Sequence, residues 1–328
     1  MKEKTLSKNI DDIYKEKTSS TYWEPNQIEP VGLYFWPLNF QKIFLWLTST
    51  ISNPRLYIQL GILAITWFFL TPDLDVMKEL EFEWIILIYI RNVFLLFLVV
   101  APIHYWLYVK KAQGAKFKFN SKWPNMNEKK FLFNNQTKDN IFWSIISGCS
   151  IWSCYEILTY WVFANGYFLF HVSSEDSHIY FIISLLVVPH IHKHHFFLVH
   201  RLLHYKFLYK NAHYLHHKNV NTTPWSGLAM HPIEHFLYLS AALIFWIIPA
   251  HPIHAVYVLQ IASLQAVWGH CGFAKITFKN FTVNNNVYHH YLHHKKYECN
   301  YGDPNIPWDR LFGSFDDGSK KSLLTTKK

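Results

Sequence analysis

The sequence predicts an all-α integral membrane protein with a histidine-rich region beside the membrane. Hydrophobic residues make up 51% of the 328 residues and charged residues only 16%, whereas a typical soluble domain is about 25% charged. Several apolar runs approach the roughly 20 residues that a membrane-spanning helix needs. The chain also contains 21 histidines, which concentrate in its second half. The composition is too apolar for a disordered protein.

The formal net charge of +9 favours an anionic membrane surface over nucleic acid, because the aromatic residues lie in apolar runs and no nucleic-acid-binding module is visible. The four cysteines show no CxxC spacing, which predicts reduced and packed thiols. The lysine-rich N-terminus has no early apolar core, so we expect no cleavable signal peptide.

Four apolar runs predict about four transmembrane helices: 56–70, 84–108, 141–170 and 179–189. The first run is long enough only with its flanks. A fifth run, 236–268, would extend about 50 Å as one straight helix, and the Pro-Ala-His-Pro sequence at 249–252 interrupts it. We therefore predict a re-entrant helical hairpin there.

Loop charge predicts the orientation and the domain boundaries. Segment 109–130 is rich in lysine, whereas segments 71–83 and 171–178 are acidic. Because positively charged loops stay in the cytosol, the N-terminus and segment 109–130 are expected there, and four crossings return the chain to the cytosol near residue 190. The predicted organisation is a cytosolic segment 1–40, transmembrane helices in 41–189, a cytosolic histidine region 190–318 that includes the hairpin, and a basic tail 319–328.

Three histidine boxes are the strongest chemical signal. They are HRLLH at 200–204, HYLHH at 213–217 and HYLHH at 290–294. Because residues three and four apart share a helix face, each box can direct two or three imidazoles at one point. A lone HxxxH is often a wet helix face, but three boxes beside one membrane face supply too many ligands for one tetrahedral zinc. They indicate a centre of two metal ions.

These boxes resemble those of the fatty acid hydroxylase/sterol desaturase superfamily of membrane di-iron enzymes. The resemblance covers about residues 180–318 and extends to other segments: FLVHRLLH at 197–204, LYK at 208–210, PWSG at 224–227, HPIE at 231–234, WGH at 268–270, YGD at 301–303 and WDRLFGS at 308–314. The stretch before the first box departs from the family, because extra histidines stand at 190–195 where an Asp and aromatics are common. These histidines either contact the metal ligands from outside or simply lie at the membrane surface, and we prefer the second interpretation.

The resemblance implies two iron ions held by histidines, with a set of ten predicted ligands: His200, His204, His213, His216, His217, His231, His270, His290, His293 and His294. Glu234 and Asp303 are the predicted catalytic carboxylates, which would orient ligand N–H groups, although both are equally compatible with ordinary surface positions. Arg91 and Glu156 interrupt the apolar runs, where charges are functional suspects or form a structural pair.

The implied activity is O₂-dependent desaturation or hydroxylation of a lipid C–H bond, with a sterol as the preferred substrate. The alternatives are a fatty-acyl or sphingolipid hydroxylase and, more remotely, a histidine-rich metal transporter or an inactive structural protein. No HPGG-type cytochrome b5 segment or GxGxxG motif is visible. Electrons would therefore come from a separate partner, cytochrome b5 with its NAD(P)H reductase, at the cytosolic face of the endoplasmic reticulum membrane.

Overall fold

The computed structural model describes residues 30–34, 37–124, 126–168, 172, 177–285 and 287–319. The predicted N-terminal segment up to residue 29, most of the acidic 171–178 loop and the basic tail beyond residue 319 lie outside these residues. The described helices are α1 Phe40–Ile51, α2 Pro54–Phe69, α3 Phe82–Val109, α4 Gln136–Ala164, α5 His178–Leu203, α6 at 206–217, α7 Pro232–Ile247, α8 Pro252–Gly269, α9 Tyr288–Lys296 and α10 Trp308–Leu311. Short 3-10 segments include Leu74–Lys78 and Pro224–Leu228.

Among the described residues, α3, α4 and α5 are long and apolar enough to span a membrane. The first predicted span is divided into α1 and α2, because the Asn53 side chain accepts a hydrogen bond from the Arg55 N–H and Pro54 occupies the first helical position. Helix α2 has 16 residues and extends about 24 Å. It is therefore shorter than the roughly 30 Å hydrocarbon core.

The predicted hairpin forms two helices, α7 and α8, on either side of the proline-containing break. Helix α8 is the centre of the fold, since every residue from 252 to 264 is buried and the helix contacts α2, α3, α4 and α5. The segment Pro224–Leu228 crosses α8 closely at Gly227, where a Cβ atom would lie 2.5 Å from the Ala266 carbonyl oxygen. The histidine at 270 follows directly from this rigid helix.

Helix α5 carries the chain from the apolar run into the first histidine box. It continues through Pro189 to Leu203 without a break, as neighbouring helices permit for prolines in membrane helices. Its 26 residues extend about 39 Å, which exceeds the thickness of the hydrocarbon core. The first box therefore lies at the C-terminal end of a helix that is long and apolar enough to span a membrane.

A small antiparallel hairpin connects α8 to α9. Strand β1 Lys275–Phe278 pairs with β2 Phe281–Asn284, with Lys275 opposite Asn284. The side chain of Asn285, directly after β2, donates to the Trp268 carbonyl oxygen at 2.9 Å. The hairpin thus returns the chain to the end of α8, so that the third histidine box begins beside His270.

The two charges inside the apolar runs form one buried ion pair between α3 and α4. Arg91 Nη2 lies 2.5 Å from Glu156 Oε1, and both side chains are almost fully buried. Asn92 Nδ2 donates to Glu156 Oε2 at 3.0 Å, and the Tyr160 hydroxyl donates to Glu156 Oε1 at 2.9 Å. Because each oxygen of the carboxylate is satisfied within this network, the structure supports the structural role for the pair.

We expect Arg91→Met to lower the free energy of unfolding by about 3–5 kcal/mol, because it leaves the Glu156 carboxylate buried without its partner. Thermal unfolding in detergent micelles measures the change, and the double variant Arg91→Met/Glu156→Met should recover most of the loss. Lys78→Met is the matched control, since Lys78 pairs with Asp75 at an exposed position, and its melting temperature should not change. A wild-type melting temperature for Arg91→Met would contradict the structural role.

Candidate metal centre

Four parts of the chain bring nine histidines together beside the ends of the spanning helices. The end of α5 contributes His200 and His204, α6 contributes the second box, α9 contributes the third box, and His270 follows α8. In the described residues the nine side chains form two groups, and the ligand atoms in each group lie within 4.8 Å of one another. The five-histidine cluster consists of His200, His204, His213, His217 and His293, and the four-histidine cluster of His216, His270, His290 and His294.

Each HxxHH box supplies both clusters. In the second box, His213 and His217 join the five-histidine cluster, while His216 joins the other. In the third box the roles are exchanged, because the i and i+4 residues join the four-histidine cluster and His293 joins the five-histidine cluster. Adjacent helical residues point about 100° apart, so a consecutive His-His pair cannot serve one point. The expectation that each box aims at one point holds only for the i and i+4 pairs.

Hydrogen bonds at Nδ1 fix which ring nitrogen faces the clusters. Backbone carbonyl oxygens lie beside the Nδ1 atoms of four histidines: His200 to Tyr301 at 2.6 Å, His293 to Cys299 at 2.6 Å, His270 to Ala266 at 2.7 Å and His216 to Ala229 at 3.4 Å. A carbonyl oxygen only accepts, so each Nδ1 carries the proton. In the neutral ring Nε2 then holds a lone pair.

Several of these Nε2 atoms face one another at distances that suit a shared cation. His270 Nε2 lies 3.1 Å from His216 Nε2, 3.0 Å from His294 Nε2 and 2.9 Å from His290 Nε2. Neither His270 nor His216 has a proton at Nε2, so this contact is not a hydrogen bond. Two nitrogens that each bind one metal at about 2.0–2.1 Å are roughly 2.9–3.4 Å apart at octahedral or tetrahedral angles. The residues therefore fit a metal ion.

Burial keeps these histidines in the state that binds metal. Burial, together with the neighbouring histidines, lowers the pKa of His213, His216 and His217 well below 6.5. The same causes lower the pKa of His293 and His294 well below this value. Neutral imidazole is the form that ligates a cation. The clusters are thus composed of neutral donors at physiological pH.

Glu234 lies where the sequence predicted an orienting carboxylate. Its Oε1 accepts a hydrogen bond from His213 Nδ1 at 2.8 Å, and both side chains are buried. The carboxylate therefore directs the Nε2 lone pair of His213 towards the five-histidine cluster.

Three other residues of interest lie outside both clusters. The Nδ1 of His231 accepts from the Ile233 N–H at 3.2 Å, so its ring caps the N-terminus of α7. Asp303 forms an ion pair with Lys193 at 3.4 Å and accepts from the Asn305 backbone N–H. His289 Nε2 lies 3.1 Å from the Gly302 carbonyl oxygen. Thus, of the ten predicted ligands, the structure brings together all except His231.

Asp309 is a positioning residue that the sequence did not reveal. Its carboxylate accepts from the backbone N–H groups of Tyr301 and Gly302 at 2.9 and 2.8 Å, and from the Ser314 hydroxyl at 2.7 Å. It thereby holds the loop whose Tyr301 carbonyl orients His200. Asp309 belongs to the WDRLFGS segment that resembles the family. Only the fold shows which backbone N–H groups donate to its carboxylate.

A cavity of about 890 Å³ extends from the clusters between α2, α3, α5 and α8. His200, His213, His216, His270 and His290 line one part of it. Leucine, isoleucine and valine side chains of these four helices form much of the remaining wall. The volume is in the range of small-molecule sites. The metal centre therefore borders a largely apolar chamber.

A protein-family comparison matches the part of the chain that contains both histidine clusters. Residues 185–314 match the fatty acid hydroxylase family. The chain is 32% identical to sphinganine C4-monooxygenase 2 of Arabidopsis thaliana over 41% of this chain and 53% of that protein. It is 37% identical to lathosterol oxidase of Rattus norvegicus over 36% and 40% of the two chains, and 34% identical to the Delta(7)-sterol 5(6)-desaturase of Candida glabrata over 36% and 32%. The matches cover only about a third to a half of these relatives, and no solved structure matches the chain.

We expect Glu234→Gln to weaken metal binding by about tenfold or more, because the hydrogen-bond partner of a ligating histidine typically contributes a factor of about 10–100. Competition with a chelator measures the affinity. Glu298→Gln makes the same chemical change on the exposed surface after α9 and should retain wild-type affinity. Equal affinities for the two variants would show that Glu234 does not orient a ligand.

We expect His231→Asn to retain the wild-type number of metal ions per chain, because an asparagine oxygen can replace Nδ1 as the helix cap. His216→Asn should instead lose metal, since it removes one of four ligands. Elemental analysis of the purified proteins provides the comparison. Loss of metal from His231→Asn would place His231 among the ligands after all.

Proposed function

Because residues 185–314 belong to the fatty acid hydroxylase/sterol desaturase superfamily, we propose that this integral membrane protein is a di-iron lipid oxidase. The observation that carries the proposal is the convergence of nine histidine side chains, seven of them buried, beside a largely apolar cavity. The five-histidine cluster would hold one iron and the four-histidine cluster the other. The family consists of histidine-box iron enzymes, and imidazole suits iron.

When bound, the iron pair supplies the reduction of O₂ and the abstraction of hydrogen from an unactivated C–H bond. The overall reaction consumes one O₂, two electrons and two protons. Hydroxylation converts one C–H bond to C–OH and releases one water. Desaturation removes two hydrogens from adjacent carbons and releases two waters. Both outcomes balance with the same external reductant.

The residues of the chain contribute orientation and exclusion of water. The backbone carbonyls of Tyr301, Cys299 and Ala266 hold three ligand rings in one tautomer and one direction. Glu234 does the same for His213. Apolar walls keep the lipid next to the clusters and restrict water, which protects reactive intermediates from side reactions. Asp303 forms its ion pair with Lys193 and lies in the wall of the cavity.

Sterol is the proposed substrate class. Two of the relatives are a lathosterol oxidase and a Delta(7)-sterol 5(6)-desaturase, and the cavity of about 890 Å³ has the volume of a small-molecule site. Hydroxylation of a sphingoid or fatty-acyl chain is the second candidate, favoured by the similarity to a sphinganine C4-monooxygenase. The metal-transporter alternative is not favoured, because the histidines converge on two points rather than lining a path.

We further propose that cytochrome b5 and its NAD(P)H reductase supply the electrons at the cytosolic face of the endoplasmic reticulum. Lys206, Lys210 and Lys295 are exposed and belong to the same helices as the second and third boxes. Such a basic surface complements an acidic redox protein and favours its association.

Lipid and sterol profiling by mass spectrometry tests the proposal. Cells that express the wild-type chain should accumulate a species that lacks two hydrogens or gains one oxygen, and cells that express His216→Ala should not, because the variant removes a ligand. Glu298→Gln should give the wild-type profile. Identical profiles for wild type and His216→Ala, with both proteins present and a reductase system supplied, would contradict the oxidase.

A further inference from the structure

Two buried polar side chains on α8 have no protein partner in the cavity wall. Gln260 exposes 3% of its surface and Tyr257 exposes 1%. Within the described residues, neither the amide atoms of Gln260 nor the hydroxyl of Tyr257 has a hydrogen bond. By contrast, the hydroxyl of Tyr238, in the same wall, donates to the Ala262 carbonyl oxygen at 2.7 Å. Unpaired buried polar groups are unfavourable, so such groups in a binding cavity indicate a ligand.

The two side chains face the chamber as one patch. Tyr257, Gln260, Ile261 and Leu264 have the i, i+3, i+4 and i+7 spacing of a single helix face, and all four line the cavity. Gln260 is therefore bordered on its own helix by apolar side chains. The other glutamines of the wall, Gln59 and Gln265, are half-buried rather than buried.

The patch is remote from the metal centre. His270 lies ten positions after Gln260 in the sequence, which corresponds to a helical rise of about 15 Å. The cavity thus has metal ligands at one end and a neutral donor and acceptor pair towards the other.

We propose that Gln260 and Tyr257 bind the hydroxyl group of a lipid alcohol, an inference that rests on the proposed oxidase function and specifies its substrate. A hydroxyl has one donor and two lone pairs. It can donate to Gln260 Oε1 and accept from Gln260 Nε2 or from the Tyr257 hydroxyl. A hydrocarbon leaves these atoms unpaired, and an ether supplies no donor. The carbon that reacts therefore lies at the far end of the lipid from the bound hydroxyl.

Binding to the purified full-length protein tests this site without turnover. Competition against a radiolabelled 3-hydroxysterol compares that sterol with its 3-deoxy analogue and compares a long-chain alcohol with the corresponding alkane. At least one alcohol should bind about tenfold or more tightly than its deoxygenated partner. Gln260→Met should abolish this preference without weakening the deoxygenated lipid, and Tyr257→Phe, which removes only an oxygen, should reduce it.

Leu264→Met is the matched control, because it changes the same helix face without changing polarity and should keep the preference. The proposal is overturned if neither alcohol is preferred by the wild type, or if both Gln260→Met and Tyr257→Phe retain the full preference. A protein that selects alcohols but oxidises no lipid would contradict the oxidase and leave this site standing. An active oxidase without the preference would contradict this site alone.

Discussion

Within each of the two histidine clusters, pairs of Nε2 atoms lie 2.9–3.2 Å apart, and these close contacts impose a strong constraint on the fold. Burial holds the rings neutral, and carbonyl acceptors at Nδ1 leave lone pairs at Nε2 directed at each other. Without a cation, the Nε2 lone pairs repel one another. A bound cation would instead link the histidines of α5, α6 and α9 and the histidine that follows α8. Metal binding and folding of this region are therefore coupled. The loop after α9 also orients the histidine rings. Its Cys299 and Tyr301 carbonyl oxygens accept from His293 and His200, and the Asp309 carboxylate accepts from the Tyr301 backbone N–H.

The apolar helices deliver these ligands to the edge of a lipid environment. Helix α5 is longer than the hydrocarbon core requires, and His200 and His204 lie at its C-terminal end. Buried α8 ends where His270 begins and also forms the wall of the chamber. One helix thus connects the polar patch at Gln260 to the metal centre. The Arg91–Glu156 pair fixes α3 against α4, so the scaffold is held both by apolar packing and by an ion pair that water does not screen.

The sequence was sufficient to predict the helical membrane class and the box histidines of the two clusters, because box spacing follows directly from the helical repeat. His270 was predicted from the resemblance of WGH at 268–270 to the family. The sequence did not reveal which histidines of each HxxHH box belong to which cluster. That division depends on how α6 and α9 pack against each other, because adjacent histidines of a helix point in different directions. His231 has the residue type of a ligand but its backbone position makes it a helix cap. Gln260 lies inside an apolar run, and Asp309 acts through backbone groups. Such roles arise only from contacts between distant parts of the chain.

X-ray absorption spectroscopy at the iron edge of the purified holoprotein tests the central claim most directly. The two clusters predict two irons per chain, a coordination shell dominated by imidazole nitrogen and a second scattering shell with the multiple-scattering pattern of histidine rings. The spectrum of His216→Asn should lose part of the imidazole contribution. One iron per chain, or a shell dominated by oxygen or sulfur, would contradict the assignment of both clusters as metal sites.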